Sequence, residues 1–389
     1  MISMVSLALS FSLLMLSLST NSWASNFSYE GSFGGQIKTM GRKAESPDLW
    51  ATPATFSMIH GNLNSKSVIE KGKLETSVFY RRTDTDLYKT LNFTRELLVF
   101  PRNLVAREMI DLTKQKNEPD YRSDLLIHRF SYEHEWNKLR LEFGRFFINY
   151  GLGETFNPVN TFNLPNGLFI INDLSQASDG ARATYFYNEK IDFVFYSLGS
   201  KDYADSTHPI NPTLFLQATI RHEDWQYLFV GGADEKKNKV GGEVSLRFSD
   251  YLGFIQTLYQ SSNNREAALI DGLVGLDRQL TELWHVRLEV AYQEIPKNQT
   301  FNTRLLPQEL TVAIAQEYEL HPLFKIKPVL TMDPKNYLIF GILKGTLSLT
   351  QNLEIEAFAL GNLNQNPGEE NLRQRLLTRD LGLRGQYYF

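Results

Sequence analysis

Charged side chains in this chain recur on every second residue of short runs. In LRLEF, Arg140 and Glu142 alternate with Leu139, Leu141 and Phe143. In WHVRLEVAYQ, Arg287 and Glu289 share a face with His285, while Trp284, Val286, Leu288, Val290 and Tyr292 share the other. FKIKPVL sets Lys325 and Lys327 against Phe324, Ile326 and Leu330, and LEIEAFAL sets Glu354 and Glu356 against Leu353, Ile355, Ala357 and Ala359. LFLQATIR ends on Arg221, EVSLRF carries Arg247, and RATYFY begins on Arg182. Glu243, Asp277, Lys344 and Arg384 fall on the same polar parity. Fixed charges on one strand face can line a wet passage and shape its field. In a dry core each would need a partner. Their near balance of sign argues against a strongly ion-selective passage.

Catalytic or metal chemistry finds little here. The histidines are His60, His128, His134, His208, His222, His285 and His321, and none lies in a serine-nucleophile elbow or an HExxH pattern. His128 and His134 share a strand and a parity. There is no cysteine, so neither a disulfide nor a thiolate site exists. Asp84 and Asp86 of DTDLYK are too few to define a cation site. The expectation is no cofactor, no metal and no enzyme. Net charge is −4 with no clustered basic patch, which argues against nucleic acid.

The elements that carry these faces read as strands. Strict alternation over about ten residues is the mark of a half-apolar strand. Asn137-Lys138, Asn188 to Lys190, His222 to Asp224, Ser249-Asp250, His321-Pro322 and Thr350 to Asn352 read as tight turns. Longer links alternate with them at 150–179, 199–211, 233–238, 261–267, 294–307 and 363–375. Pro328 lacks a ladder donor and predicts an irregularity. Fifteen strands follow from Asp124 onward, and 27–39, 55–66 and 74–82 give three more. The fold class is therefore all-β, an antiparallel transmembrane barrel of about 18 strands, with 16 or 20 as alternatives. A soluble β-sandwich also alternates, but seldom with so long a series of alternately short and long links. In bacterial barrels short turns face the periplasm, which would put both termini there. NLVAREMIDLTKQK has Leu104, Val105, Glu108, Met109 and Leu112 at helical spacing. It is placed in an outer loop, 83–123, at the surface or folded into the lumen.

The ends agree. Residues 1–24 contain no charged side chain, are apolar at the centre and close on SWA, the layout of a signal peptide, though without the usual Lys or Arg near the start. The barrel then spans 25–389. No later run of about 20 apolar residues could form a membrane helix, so a barrel is the other way to span a bilayer. The chain closes on LGLRGQYYF, where Leu381, Leu383, Gly385, Tyr387 and Phe389 share one parity. Gly385, Tyr387 and the last Phe resemble the C-terminal signature of bacterial outer-membrane barrels. That resemblance implies recognition by the barrel-assembly machinery and an environment of outer-membrane lipid.

A second stretch, LRLEFGRFFINYGLGETFNPVNTFN, resembles a motif of porin-like barrels of the alginate-export type and their relatives. There Gly-Arg-Gln runs into Trp-Gly-x-Gly and Asn-Pro-x-Asp before an outer loop. Gly144, Arg145, Gly151, Gly153, Asn157 and Pro158 match, whereas Phe146, Tyr150 and Asn160 depart from the pattern. Strict alternation from Leu139 would send Arg145 into lipid, at a cost of about 2–4 kcal/mol near the midplane. Either a bulge at Gly144 turns it into the lumen near the pore mouth, or Arg145 lies high enough to snorkel to the headgroups. The pore-lining candidates are thus Arg140, Glu142, Arg145, Arg182, Arg221, Arg247, Arg287, Glu289, Lys325, Lys327, Glu354 and Glu356. The functional expectation is an outer-membrane pore for passive diffusion of small hydrophilic solutes, narrowed by loop 83–123 or loop 150–179. A structural or surface-binding barrel with a shut lumen is the alternative, and an outer-membrane enzyme the third.

Overall fold

The computed structural model describes residues 26–41, 54–69, 71–85, 105–107, 113–117, 121–154, 156–160, 177–200, 211–234, 237–262, 268–294, 309–335, 338–362 and 379–389. The leader expected over 1–24 and much of loops 83–123 and 150–179 lie outside them. The strands are β1 (Asn26–Gly41), β2 (Ala54–Ile69), β3 (Gly72–Thr85), β4 (Val105–Arg107), β5 (Thr113–Asn117), β6 (Tyr121–Trp136) and β7 (Leu139–Phe147). They continue with β8 (Ala177–Phe186), β9 (Ile191–Ser200), β10 (Asn211–Arg221), β11 (Trp225–Asp234), β12 (Lys237–Phe248), β13 (Tyr251–Ser262) and β14 (Leu269–Thr281). The last six are β15 (Trp284–Gln293), β16 (Leu310–His321), β17 (Phe324–Asp333), β18 (Leu338–Thr350), β19 (Leu353–Asn362) and β20 (Arg379–Tyr388). All but β4 and β5 form one closed antiparallel circuit of eighteen, in chain order. β1 pairs with both β2 and β20, so no edge is left open.

Closure follows from the two-residue period. Leu214, Leu216, Phe229, Val244, Ile255, Val274, Leu343 and Leu383 form an exposed outer band. Aromatics gather on this face beside the tight turns. Trp284 meets Tyr318 edge-on at 6.3 Å, His134 lies 4.1 Å from Trp136, and Arg278 sits 4.3 Å over the Tyr251 ring. Asn137 and Ser249 turn with positive φ, 48° and 52°, as tight hairpins demand. At the seam Phe389 exchanges two 2.9 Å backbone bonds with Gly31. A Cβ on Gly31 would fall 2.3 Å from the Phe389 ring, so the bare glycine gives the terminal ring its seat. Tyr387 pairs with Phe33 and Gly385 with Gly35 in the same ladder.

Several expectations are corrected. Of the stretch read at helical spacing, the described residues are extended, and Leu104 and 108–112 lie outside them. Val105–Arg107 is an extended piece paired in parallel with β8, and Thr113–Asn117 pairs antiparallel with β6. These short pieces take up ladder positions that β9 and β7 leave free near the rim. The link expected over 233–238 shrinks to residues 235–236 between β11 and β12. The irregularity expected at Pro328 is present, the β16–β17 ladder skipping the rungs at Gln316 and Glu317 opposite it.

Two local devices break the alternation. Between β3 and β6 the register shifts so that His128 is an extra residue. A bulge places neighbouring side chains on one side: His128 packs 6.4 Å from Phe79, and Arg129 reaches Glu75 and Glu142. His128 therefore does not share a face with His134. In β7 the break is not a bulge, because the register with β6 and β8 is continuous. Gly144 instead has φ 116°, and a Cβ there would lie 2.2 Å from the Phe130 carbonyl oxygen. Phe143 stays outside and Arg145 turns in.

Candidate functional site: a loop held across the lumen

β7 stops at Phe147, well short of the top of β6, and the chain turns into the barrel. Phe146, Ile148, Tyr150 and Val159 are buried against Val194, Tyr196 and Leu198 of β9, Phe215 of β10, and Leu228 and Val230 of β11. Both faces of β9 are thus apolar. Each fully buried side chain contributes about 1.5–3 kcal/mol, enough to make the base of the loop a small core of its own. The fold-back is set by the motif residues. Gly151 has φ 83°. Asn157 donates from Nδ2 to the Tyr150 carbonyl oxygen (2.9 Å), and Asn160 donates from Nδ2 to Asn149 Oδ1 (2.8 Å). A Cβ on Gly153 would stand 1.7 Å from the Phe156 carbonyl oxygen.

The tip reaches the far wall. The Leu152 N–H donates to Glu243 Oε2 of β12 (2.7 Å), which also accepts from Gln256 Nε2 of β13 (2.6 Å). The Glu154 and Phe156 N–H groups donate to the two oxygens of Glu289 on β15, at 2.7 and 3.1 Å. The Glu154 carboxylate pairs with Lys327 of β17 and with Arg287 of β15 (3.3 Å). Arg287 in turn bonds Asp277 and donates to the Leu152 carbonyl oxygen (3.2 Å). In the circuit of eighteen, β15 and β17 stand eight and ten places from β7, so the tip has crossed the full diameter. Leu152 and Phe156 pack on Phe254, Leu273 and Ala291 beside these bonds. Burial works against the Glu154 charge, but Lys327, Arg287 and His285 together hold its carboxyl below the ordinary carboxylate value.

On the near wall the charges neutralise one another. Glu142 is buried between Arg129 (3.4 Å) and Arg182. Arg140 pairs with Glu135 (3.0 Å) and lies 5.1 Å over the Phe186 ring. Arg145 is sealed in a two-pronged bond to Asp179 (2.6 and 2.9 Å) and donates to the Ile127 carbonyl oxygen (2.9 Å). It is therefore a tether between β7 and β8. Elsewhere, Arg221 pairs with Asp192, Lys325 with Glu319 (3.2 Å), and Glu356 with Lys344 and Arg384 (3.3 Å). Glu354 accepts from the Tyr388 hydroxyl (3.1 Å), and Arg247 is exposed near a tight turn. Asp84 is taken by Arg82 (3.0 Å). Of the sequence-selected residues, the loop tip brings together Arg287, Glu289 and Lys327. Glu154, Asp179 and Gln256 were not foreseen, although Glu154 sits between the motif glycine and asparagine. A cavity of about 500 Å³ remains against β1, β2, β3 and β6, lined by Glu30, Asn64, Lys66, Glu75 and Arg129 among others. Among the described residues no group of three or more His, Cys, Asp or Glu is placed to hold a metal ion.

This is a closed, eighteen-stranded transmembrane-type barrel with a loop folded across its interior. Solved structures share that fold. Acinetobacter baumannii OccAB3 is similar with a TM-score of 0.56 at 12% identity, over 94% of this chain and 99% of that one. OccAB1 of the same organism gives 0.59 at 7% identity, over 95% and 98%. Pseudomonas aeruginosa OccD3 (OpdP) gives 0.58 at 9% identity, over 95% and 92%. No family model matches the chain, and no curated protein matches its sequence.

Proposed function

We propose that this chain is an outer-membrane pore through which small hydrophilic solutes diffuse passively, with residues 148–160 as its constriction. The observation that carries this reading is the attachment of residues 152–156 to β12, β15 and β17 across the lumen. A barrel of sixteen to eighteen strands leaves an aqueous channel unless something fills it. Here one segment partly fills it, anchored at both ends, while open volume persists by β1–β3. The apolar band with aromatics beside the tight turns suits a bilayer, and the tight turns would then lie in the periplasm with both termini. The solute is hydrophilic because the free wall is polar.

The test is electrical. Folded protein, verified by its heat-modifiable migration, is reconstituted into planar bilayers in KCl. Stepwise currents are the expected result. Correctly folded barrel that passes no current overturns the pore.

A further inference from the structure

Acidic groups outnumber basic ones at the loop tip and not on the near wall. In the ion pairs of β3 and β6–β8, Glu75, Glu133, Glu135, Glu142 and Asp179 meet Lys73, Arg129, Arg140, Arg145 and Arg182, five against five, and Arg81 of β3 adds a buried cation to that wall. At the loop tip, among the described residues, Glu154, Glu243, Asp277 and Glu289 meet Arg287 and Lys327, four against two, with His285 beside Asp277. The excess centres on Glu243. It is 2% exposed, and among the described residues no cation pairs with it. One of its oxygens takes the Leu152 and Gln256 donors, and the other has no hydrogen-bond partner. Gln256 Oε1, on the directly paired residue of the next strand, is likewise buried without a donor. Two buried acceptors without donors thus lie on directly paired residues of β12 and β13.

We infer that the constriction is a cation filter: its uncompensated carboxylates favour small monovalent cations and protonated amines over anions, with Glu243 and Lys327 setting the preference. This rests on the pore reading above. A net charge does not need contact with a passing ion, because a low-dielectric wall focuses its field into the narrow water path. One unit of charge about 7 Å from an ion in water, halved by salt near 0.1 M, changes the cation-to-anion ratio about threefold. Two net charges give a ratio on the order of 10, and one gives about 3. The overall sign balance of the lumen hides this, since the imbalance exists only where the loop lands.

The reversal potential across a tenfold KCl gradient tests it. The expected permeability ratio of potassium to chloride is about 3–10 for the native chain. Glu243→Gln keeps the shape and the bond to the Leu152 N–H, and should lower the ratio about threefold. Lys327→Gln should raise it by a similar factor. A native ratio at or below one, or a ratio that neither substitution moves, overturns the filter while leaving the pore intact. Absence of any current removes the pore, and the filter with it. The native measurement stands by itself if a variant fails to fold.

Discussion

Replacing Glu289 by Gln should release the tip of the inward loop more than replacing Glu154 by Gln does. Glu289 is 1% exposed, and its two oxygens accept from two loop N–H groups. Hydrogen bonds to a charged group are worth about 1.5–3 kcal/mol each. Gln keeps one acceptor but turns an amide donor toward a backbone donor, so docking should weaken by about 2–4 kcal/mol. That multiplies the undocked-to-docked ratio by roughly 30 to 1000. Glu154 makes the more conspicuous ion pairs, but its side chain and that of Lys327 are each 35% exposed. Pairs so open to water contribute only about 0.2–1 kcal/mol each, so E154Q should raise the ratio no more than about 30-fold. Single-channel recording reads the difference as frequency of excursions to a larger conductance. E289Q should flicker often or sit in the larger state, whereas E154Q should stay near the native level. The reverse order would show that the tip is held by surface-like charge attraction and would refute the assignment of the carboxylate–backbone bonds as its anchor.

Further consequences follow from the same contacts. Asp179→Asn strands a buried Arg145 guanidinium and should cost about 3–5 kcal/mol, seen as a lowered midpoint in heat- or urea-induced loss of the folded band. An undiminished midpoint would show that Arg145 does not depend on its partner. Glu154, whose carboxyl is held below its ordinary value, contributes docking that is complete above about pH 4.5 and is lost as pH falls through the depressed folded value. Conductance should therefore be flat from pH 7 to pH 5 and rise only below about pH 4, and the rise should shrink in E154Q. Phe389→Ala empties the seat on Gly31 at the seam, and should lower the yield of heat-modifiable barrel in cells while leaving secreted, unassembled chain.

Most of the barrel is legible because its signal is local. A strand such as β15 writes its two faces directly into alternate residues, and a turn such as Asn137-Lys138 needs only its own chemistry. Summing such segments gives eighteen. The breaks in that code are where reading along the chain fails, and they gather on β6–β9. The segment FVFYSL, residues 193–198, is apolar on both faces because its inner face supports Ile148 and Tyr150. Such a run carries no period from which to infer a lumen. At Val105–Arg107 the reading fails for the opposite reason. The helical spacing there is a weak preference, and the unpaired rungs of β8 offer backbone partners that a sequence does not display.

The inversion at Gly144 shows why the site itself was only half visible. Parity assigned Arg145 to lipid, and the cost of that placement correctly demanded a local exception. Yet the exception could have ended in open water or in a partner, and only Asp179, thirty-four residues on and in register across β7–β8, decides for the partner. Gly180 of β8 lies opposite Gly144, and a Cβ on it would stand 2.2 Å from the Ser197 carbonyl oxygen. Beside these two facing glycines, an ion pair that strict alternation would send outward is buried instead. Phe146 and Ile148 keep the inward parity of Arg140 and Glu142 and form the buried base of the loop. Arg145, buried beside that base, ties β7 to β8 through Asp179 at the point where the chain leaves the wall, so the tether holds the strand from which the crossing loop springs.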